Sequence, residues 1–377
     1  MAGTLVVAGL WARALAESAH RGGWRVIALD LFGDLDTRRA SARWMRIGRP
    51  GAFAIDPALL REGLLSASRE PGVVGWVAGS GFEALPQALD MDIPGLPLLG
   101  MGADAVRRVR DPACFFDALD RLRLPHPQVA LQRPAPAQGW LAKSAAGCGG
   151  WHIRPAGEAD GGACYWQRLH PGESRSALFL ADGSRARVVA LNRQVVRPLG
   201  ALPFVYHGAI GPIDDAALLE QVQRALALLV PVFDLRGLAS LDFLAHEGRI
   251  SLLEVNPRPS ATMVLHEDAW PGGLVRGHVR AIEGELPRGE PVAPAPWRGE
   301  LVVYTHRACR VDAALAQALA RAADCHDLPA AGTRFGAGEP VCAVSGTGAN
   351  ADALLAALDE RAAYIRARLA DVEELAA

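Results

Sequence analysis

Short apolar runs alternate with helix-like segments over the first hundred residues. TLVVAG (4–9) precedes helical periodicity over 11–21, and WRVIALDLFGD follows it. VVGWVAGSGFE and LPLLG add two further apolar runs. Strand–helix–strand units of this length are typical of a parallel sheet. The pattern predicts a Rossmann-like α/β domain over residues 1–104.

The glycines of this domain do not have dinucleotide-binding spacing. The first turn reads Gly9-Leu-Trp-Ala-Arg-Ala, which lacks G-x-G-x-x-G. A dehydrogenase built on this domain is therefore excluded. Gly79-Ser80-Gly81 follows a strand and either lines a ligand crevice or forms a simple turn.

The rest of the chain predicts two further units. Residues 105–123 have the pattern of one helix, and mostly antiparallel strands and turns follow. We predict a second domain over 105–290, with lobes over about 125–170 and 171–290. An α+β segment over 291–377 ends in the helical sequence ADALLAALDERAAYIRARLA.

Composition narrows the class of protein. The net charge is −2 with both signs dispersed, whereas a nucleic-acid-binding protein would show a clustered basic face. No apolar run approaches the ~18 residues of a membrane span, and no basic leader precedes the first apolar run. The six cysteines lack C-x-x-C spacing, which favours reduced thiols. We expect a cytoplasmic enzyme that binds neither nucleic acid nor membrane.

Lys143 is the only lysine in 377 residues, although lysine and arginine together number 39. It lies in WLAKSAAGCGGWHI, directly before a run of small residues. A lysine is a compact point charge, and an arginine is a wide planar fork. Either the lysine survives by chance, or it serves a narrow phosphate-binding cleft where the fork does not fit.

The most informative stretch is SLDFLAHEGRISLLEVNPR. Folded as a hairpin about Gly248, it places Asp242 opposite Glu254, and Asn256 points to the same face. Two carboxylates and an amide are oxygen donors of the kind that Mg²⁺ takes together with phosphate and water. The alternative is a solvated hairpin face. Arg258 follows between two prolines, either to clamp a phosphoryl group or as a surface residue.

The alternation assigns the hairpin residues to two faces. The first face would carry Leu241, Phe243, Leu253 and Val255. The second would carry Asp242, Leu244, Leu252, Glu254 and Asn256. Acids beside leucines favour a partly buried cleft over open water, and therefore favour the metal site.

The order of these features resembles the ATP-grasp ligase superfamily over most of the chain. The most specific part is SLDF followed by LLEVNPRPS. The resemblance implies an ATP-grasp fold, mixed α/β and α+β, with an N-terminal Rossmann-like pre-ATP-grasp domain and a small C-terminal α+β domain. It also implies ATP bound between two lobes.

The resemblance assigns roles to individual residues. Lys143 would reach the ATP phosphates, and residues 144–150 would form a lid. The expected ligands of the nucleotide are Lys143, Gly147, Gly149, Gly150, Gln167, Arg168, Leu169 and Glu173, of which 167–169 would read the adenine edge and Glu173 the ribose. The expected ligands of two Mg²⁺ ions, with Mn²⁺ as an alternative, are Asp242, Glu254 and Asn256. Arg258, with Lys143, would act on the transferring phosphate.

One position departs from the family pattern. An earlier ATP-binding lysine is expected in an Asp-Lys-x-x-Phe segment, but RDPACFF has Pro112 there. Either Arg107, Arg108 or Arg110 replaces its contact, or the contact is lost. DLFGDLD, GSGFE, GGWHIRP and RPSATM resemble the subgroup linked to methanopterin- and methanofuran-type cofactor synthesis.

The implied activity is an ATP-dependent carboxylate–amine ligase that works through an acyl-phosphate. Its partners would be small-molecule acids and amines, and the resemblance is compatible with a homodimer. Two alternatives stay open: a carboxylase that activates bicarbonate, and a non-catalytic nucleotide-binding protein, which only Pro112 supports. Acceptor specificity would come from the N-terminal crevice, His152 and Arg154, with Arg193 and Arg197 as anion-binding or merely exposed residues. His207 and His266 are weaker acid–base candidates.

Overall fold

The computed structural model describes residues 3–159, 164–286 and 296–373. Its helices are α1 Arg13–Arg21, α2 Leu35–Ala40, α3 Pro57–Ala67, α4 Ala103–Arg110, α5 Pro112–Arg121, α6 Ala216–Phe233, α7 Leu274–Ile282, α8 Ala313–Arg321 and α9 Ala351–Glu373. Its strands are β1 Thr4–Ala8, β2 Arg25–Asp30, β3 Arg43–Arg46, β4 Val73–Ala78, β5 Val129–Ala130, β6 Trp140–Lys143, β7 Arg154–Pro155, β8 Tyr165–Arg168, β9 Glu173–Asp182, β10 Ala186–Leu199, β11 Leu202–Ile213, β12 Arg236–His246, β13 Arg249–Asn256, β14 Trp297–Tyr304, β15 Cys309–Arg310, β16 Cys325–His326, β17 Arg334–Phe335 and β18 Pro340–Gly348.

The N-terminal strands form a parallel sheet in the order β3-β2-β1-β4. β1 is buried along its whole length, as expected for a strand covered on both faces. The predicted Rossmann-like architecture is therefore present. The carboxyl ends of all four strands meet at one edge of this sheet, where ligands bind in open α/β folds.

An antiparallel sheet of eight strands forms the main body, in the order β13-β12-β9-β10-β11-β14-β18-β16. β11 pairs with β14, so one sheet runs across the predicted boundary at 290/291. A smaller sheet, β5-β8-β6-β7, carries Lys143 at the end of β6. The predicted domain limits stay a prediction, but the strands after 296 share a sheet with those before 286.

The single helix predicted over 105–123 is wrong in detail, because two helices occupy this stretch. α4 ends at Arg110 and α5 begins at Pro112. Asp111 between them is extended (φ −72°, ψ 117°), as a following proline favours. Its carboxylate then accepts a 2.7 Å hydrogen bond from the Cys114 N–H and caps α5.

α6 is long and apolar enough, by length and composition alone, to cross a membrane. Its apolar side is instead packed inside the molecule against β10 and β13. The buried residues of this helix are Leu218, Val222, Ala225, Leu226, Leu229, Val230 and Phe233. Their spacing is that of a core helix lying on a sheet.

The N-terminal sheet and the eight-stranded sheet share a buried core. One apolar cluster joins Val6 and Ile27 to Phe179 and Leu241. A second cluster joins β10 and β11, through Val195 and Ile210, to the C-terminal strands and α9. The carboxyl edge of the N-terminal sheet is thereby held against the acidic hairpin.

Candidate active site

The acidic hairpin consists of β12 and β13, and it places Asp242 directly opposite Glu254. Ser240 pairs with Asn256, so the three predicted oxygen donors lie at one end of the hairpin. The predicted register is therefore right at the site, although the turn differs. Glu247 and Gly248 form a two-residue turn, both with positive φ.

A β-bulge reconciles the turn with the register. The pairing shifts between Asp242 and Phe243, so that Phe243 faces Leu252 and Leu253 is the extra residue. The predicted faces of the two leucines were wrong for this reason. Leu252 is fully buried in the core, and Leu253 lines the cavity beside Glu254.

The two carboxylates have opposite electrostatic surroundings. Burial, reinforced by the charge of Glu254, raises the pKa of Asp242. Burial acts on Glu254 in the same direction, but Arg110 and Lys143 outweigh it and lower the pKa of Glu254. The pair therefore retains a proton more readily on Asp242, as expected for opposed carboxylates in a cavity with cations on one side.

Arg258 connects the hairpin to the N-terminal domain. Its Nε donates a 2.7 Å hydrogen bond to Oε1 of Glu83, which is buried in the loop after β4. Burial disfavours the Glu83 carboxylate, but Arg258 and Arg110 lower its pKa. The predicted position of Arg258 beside Asn256 is observed, with Nη2 3.4 Å from Oδ1.

Glu83 itself was missed in the sequence. The Gly-Ser-Gly pattern at 79–81 predicts a crevice or a turn and does not single out Glu83, which lies two residues beyond it. The signal was an acid next to a glycine-rich turn at a strand's carboxyl end. In the structure Gly79 and Ser80 line the cavity, and the Gly81 N–H donates to Oε2 of Glu83 at 2.8 Å.

Lys143 is buried, with 4% of its surface exposed. Its Nζ donates to Oε1 of Gln167 at 3.3 Å and lies 5.8 Å from the centre of the Tyr165 ring. Burial opposes the charge of Lys143, but Tyr165 and Glu254 outweigh burial and raise its pKa. The only lysine is thus a fixed cation beside the acidic hairpin.

Arg110 is the arginine that reaches the site. Its Nη1 donates to Oε2 of Glu254 at 3.0 Å, and its Nη2 donates to the carbonyls of Ala145 and Gly147 at 2.8 and 2.9 Å. Arg107 instead pairs with Asp90, and Arg108 donates to the Val232 carbonyl. The end of α4 therefore brings Arg110 to the acidic hairpin, whereas Arg107 and Arg108 do not reach it.

The glycine-rich segment 144–150 is docked on β11. The Tyr206 N–H donates to the Gly149 carbonyl at 2.9 Å. Gly150 has φ +79°, and a Cβ there would lie 1.8 Å from the Phe204 carbonyl oxygen. Glycine is required at 150 because the backbones touch.

The cavity enclosed by these elements has a volume of about 1250 Å³. Lys143, Glu254 and Arg258 line it, as do residues 148–153 and the loops at the carboxyl edge of the N-terminal sheet. This volume exceeds the ~300–1,000 Å³ of ordinary ligand pockets. There is room for a nucleotide and a second substrate side by side.

The part of the chain that forms this arrangement matches a known protein family. Residues 109–262 match the family model described as the ATP-grasp domain. The chain contains an ATP-grasp domain. The match covers Arg110, Lys143 and the whole acidic hairpin.

Solved structures share the fold over nearly the whole chain. N5-carboxyaminoimidazole synthetase from Staphylococcus aureus, complexed with ADP, has a TM-score of 0.70 at 12% identity and covers 96% of this chain and 97% of its own. The biotin carboxylase domain of 2-oxoglutarate carboxylase from Hydrogenobacter thermophilus, complexed with MgADP and bicarbonate, has a TM-score of 0.69 at 12% identity, with coverages of 92% and 86%. The predicted ATP-grasp fold is confirmed.

One curated relative matches in sequence. The carbamoyl phosphate synthase large chain of Deinococcus radiodurans is 25% identical over an alignment of 217 residues that covers 51% of this chain. The match covers 21% of the relative, so this chain spans about a fifth of its length.

Within the ATP-grasp domain, residues 167–169 were predicted to read the adenine edge, and two of their backbone N–H groups already donate to protein carbonyls. The Arg168 N–H donates to the Gln128 carbonyl and the Leu169 N–H to the Gly139 carbonyl. Gln167 is buried, and its Nε2 has no partner among the residues that the structure describes. Glu173 lines the cavity and accepts from Arg175 and Arg193.

The side chains predicted to bind substrate or to act in acid–base chemistry divide into two groups. Arg197 makes a bidentate pair with Asp359 at 2.5 and 2.8 Å, and His266 is buried against Asn192. His152 lines the cavity, and burial lowers its pKa to about 4. Both its ring nitrogens are buried and lack a partner in ordinary hydrogen-bond geometry among the described residues, although the Cys148 backbone lies close to the ring.

Proposed function

We propose that the protein is an ATP-dependent ligase that joins a carboxylate to an amine through an acyl-phosphate. The observation that carries this proposal is the opposed pair Asp242 and Glu254, set among Lys143, Arg110 and Arg258 under a docked glycine-rich lid. A purely structural sheet would avoid two facing carboxylates in a cavity.

The hairpin donors fit Mg²⁺. Oδ1 of Asp242 is buried and has no partner in ordinary hydrogen-bond geometry among the described residues, although the Gln194 side chain lies close to this carboxylate, so the oxygen is available to a cation. No group of three or more His, Cys, Asp or Glu residues in the described chain has metal-site geometry. The hairpin donors Asp242, Glu254 and Asn256 would hold two Mg²⁺ ions, or Mn²⁺, with phosphate oxygens and water completing the coordination.

The phosphates of ATP would lie between the hairpin and the lid. Lys143 and Arg110 supply fixed positive charge there, and positive-φ glycines let the lid backbone approach closely. Arg110 takes the place of the lysine that Pro112 replaces. Because Arg110 also donates to two lid carbonyls, it would link phosphate binding to closure of the lid.

The reaction has two steps. An oxygen of the substrate carboxylate attacks the γ-phosphorus, the bond to ADP breaks, and an acyl-phosphate forms. The amine nitrogen then attacks the acyl carbon, phosphate leaves, and the amine's proton passes to phosphate or water. Bound Mg²⁺ would screen the negative charge of the two reacting anions. Arg258, held by Glu83, would steady the transferring phosphoryl group, and the lid would exclude water.

A second candidate is a carboxylase that activates bicarbonate as the acid. It is favoured by the fold likeness to the Hydrogenobacter domain, whose complex contains bicarbonate. A non-catalytic nucleotide-binding role is less well supported, since Arg110 compensates for Pro112. We also propose that the protein works in the cytoplasm, where its six free cysteines stay reduced, and that it forms a homodimer. The cofactor-synthesis subgroup stays a prediction.

The test is ADP release from MgATP with paired panels of acids, including bicarbonate, and amines. We expect turnover that requires both an acid and an amine. Lys143→Arg and Glu254→Gln should abolish it, whereas Glu247→Gln, in the exposed turn of the same hairpin, should not. Turnover with bicarbonate alone as the acid would select the carboxylase. ATP binding without turnover for any pair would favour the non-catalytic role.

A further inference from the structure

Three loops at the carboxyl edge of the N-terminal sheet each contribute one aromatic side chain. Trp11 follows β1, Phe32 follows β2 and Phe53 lies in the loop after β3. Trp11 stacks on Phe32 with ring centroids 5.5 Å apart, and Phe53 meets them at 5.0 and 5.7 Å. We name these three residues the aromatic rim.

The aromatic rim lies between the apolar core, against which Trp11 and Phe32 pack, and the cavity. All three side chains line the cavity, and Phe53 is 49% exposed. Core packing accounts for Trp11 and Phe32 but not for Phe53, and the three rings converge at the edge where open α/β sheets bind ligands. Aromatic rings pair favourably with a flat apolar group in offset or edge-on geometry. The rim therefore points to a ring on the ligand.

The rim lies within reach of the reacting centre. β4, whose loop holds Glu83 against Arg258, is the neighbour of β1 in the sheet. Strands are spaced by ~4.8 Å, so the loops after β1, β2 and β3 lie roughly 5, 10 and 15 Å along the edge from the β4 loop. One small molecule can hold its ring on the rim and its reactive end beside Arg258.

The charge near the rim distinguishes an amine from a carboxylate. Arg13 contacts four carboxylates, those of Glu17, Asp36, Glu300 and Asp327. Asp34 also lines the cavity, where burial and the nearby acid Asp327 raise its pKa, so that it retains a proton more readily than an ordinary carboxyl. Glu300 and Asp327 line the same cavity, so acidic groups outnumber the single cation Arg13 on this wall.

Two arginines, at the end of β3 and in the loop after it, also line the cavity. They do not reverse this excess of acidic groups. Arg49 is paired with Asp56 at 2.5 Å. Arg46 is exposed, with its guanidinium 5.7 Å from the Trp44 ring. A cationic or neutral amine would therefore meet the inner wall favourably, and a carboxylate would be repelled by it.

We propose that the amine substrate carries an aromatic ring, which the rim of Trp11, Phe32 and Phe53 holds while its amino group points along the acidic wall towards Arg258. This inference rests on the proposed ligase function, since it names the acceptor of that reaction. It does not depend on which acid is activated.

The experiment is calorimetric titration of the full chain with 4-phenylbutylamine, with 4-cyclohexylbutylamine and with 4-phenylbutyrate. We expect the phenyl amine to bind most tightly. Phe53→Ala should weaken it roughly three- to tenfold, the loss expected for one aromatic pair. Phe53 is exposed, so this change should not unfold the protein. Leu228→Ala, which removes an exposed side chain on α6, is the matched control and should have no effect.

Three results would overturn the inference: equal affinity of wild type and Phe53→Ala, equal affinity for the butyrate, or no binding of the phenyl amine at millimolar concentration. A parallel titration with MgADP tests the nucleotide site separately. If the wild-type protein does not bind MgADP, the proposed ligase function is contradicted. The amine titrations can still be interpreted in that case, because they do not require a nucleotide. Normal MgADP binding, together with equal affinities of wild type and Phe53→Ala for the phenyl amine, would leave the proposed ligase function standing. It would refute the proposed role of the aromatic rim.

Discussion

Gly150→Ala offers the sharpest test of how the lid is held, because a neighbouring glycine provides a matched control. Both Gly149 and Gly150 have positive φ, at +62° and +79°. A Cβ at 150 would lie 1.8 Å from the Phe204 carbonyl oxygen, whereas a Cβ at 149 would approach the Trp151 side chain at 3.2 Å. Only the first is an impossible backbone contact.

The magnitude follows from these distances. An alanine at either position costs about 1–2 kcal/mol of left-handed backbone strain. At 150 the loop must also lift from β11, which would break the hydrogen bond from Tyr206 to Gly149, at about 1 kcal/mol. Disturbing the two contacts from Arg110 adds about as much. We therefore expect Gly150→Ala to weaken nucleotide binding about 30-fold more than Gly149→Ala does.

The assay is the calorimetric Kd for MgATP of both variants, with thermal unfolding as a check on the fold. Limited proteolysis of the lid should be faster in Gly150→Ala. Equal Kd values for the two variants would refute the argument, since both share the strain and only Gly150→Ala makes an impossible contact with the Phe204 backbone.

Three further predictions concern the buried ionisable side chains Arg13, Arg110 and His278. Arg13→Met should lower the free energy of unfolding by about 3–5 kcal/mol, measured by urea denaturation, because buried carboxylates lose their common partner. Arg49→Met, whose arginine is 76% exposed, should cost less than about 1 kcal/mol. Arg110→Ala should weaken MgATP binding at least tenfold, and Arg107→Ala, at an exposed site, should not; equal effects would contradict the role of Arg110. Burial lowers the pKa of His278 from the ordinary 6.5 to about 4. Neutral His278 should therefore contribute about 3 kcal/mol to the free energy of unfolding above pH 6.5, and this contribution should be lost as the pH falls to 4.

The His278 prediction is checked by following urea denaturation against pH. Neutral His278 accepts from the Leu238 N–H and donates to the Leu99 carbonyl, both at 2.8 Å, so its protonation would break the first bond. His278→Asn should flatten the pH dependence between 6.5 and 4. The same slope in both proteins would show that other groups dominate in this range.

The sequence predicted those features that depend on neighbours along the chain. Alternating apolar runs indicated the N-terminal parallel sheet, and the hairpin pattern placed Asp242 opposite Glu254. The lone lysine and the glycine-rich run after it indicated a ligand site, and Lys143 and residues 148–150 line one cavity, while the role of the run as a lid stays a prediction. In each case strand periodicity or a local turn determines which residues meet.

Only the tertiary structure decided the features that join distant segments. The bulge at Leu253 exchanged two leucines between faces, and no pattern of alternation records an inserted residue. Arg110 was one of three candidate arginines until the break at Pro112 fixed the end of α4. Glu83 meets Arg258 across 175 positions of sequence. Such pairs depend on how the N-terminal sheet is packed on the hairpin, and that packing is set by a shared apolar core rather than by either segment.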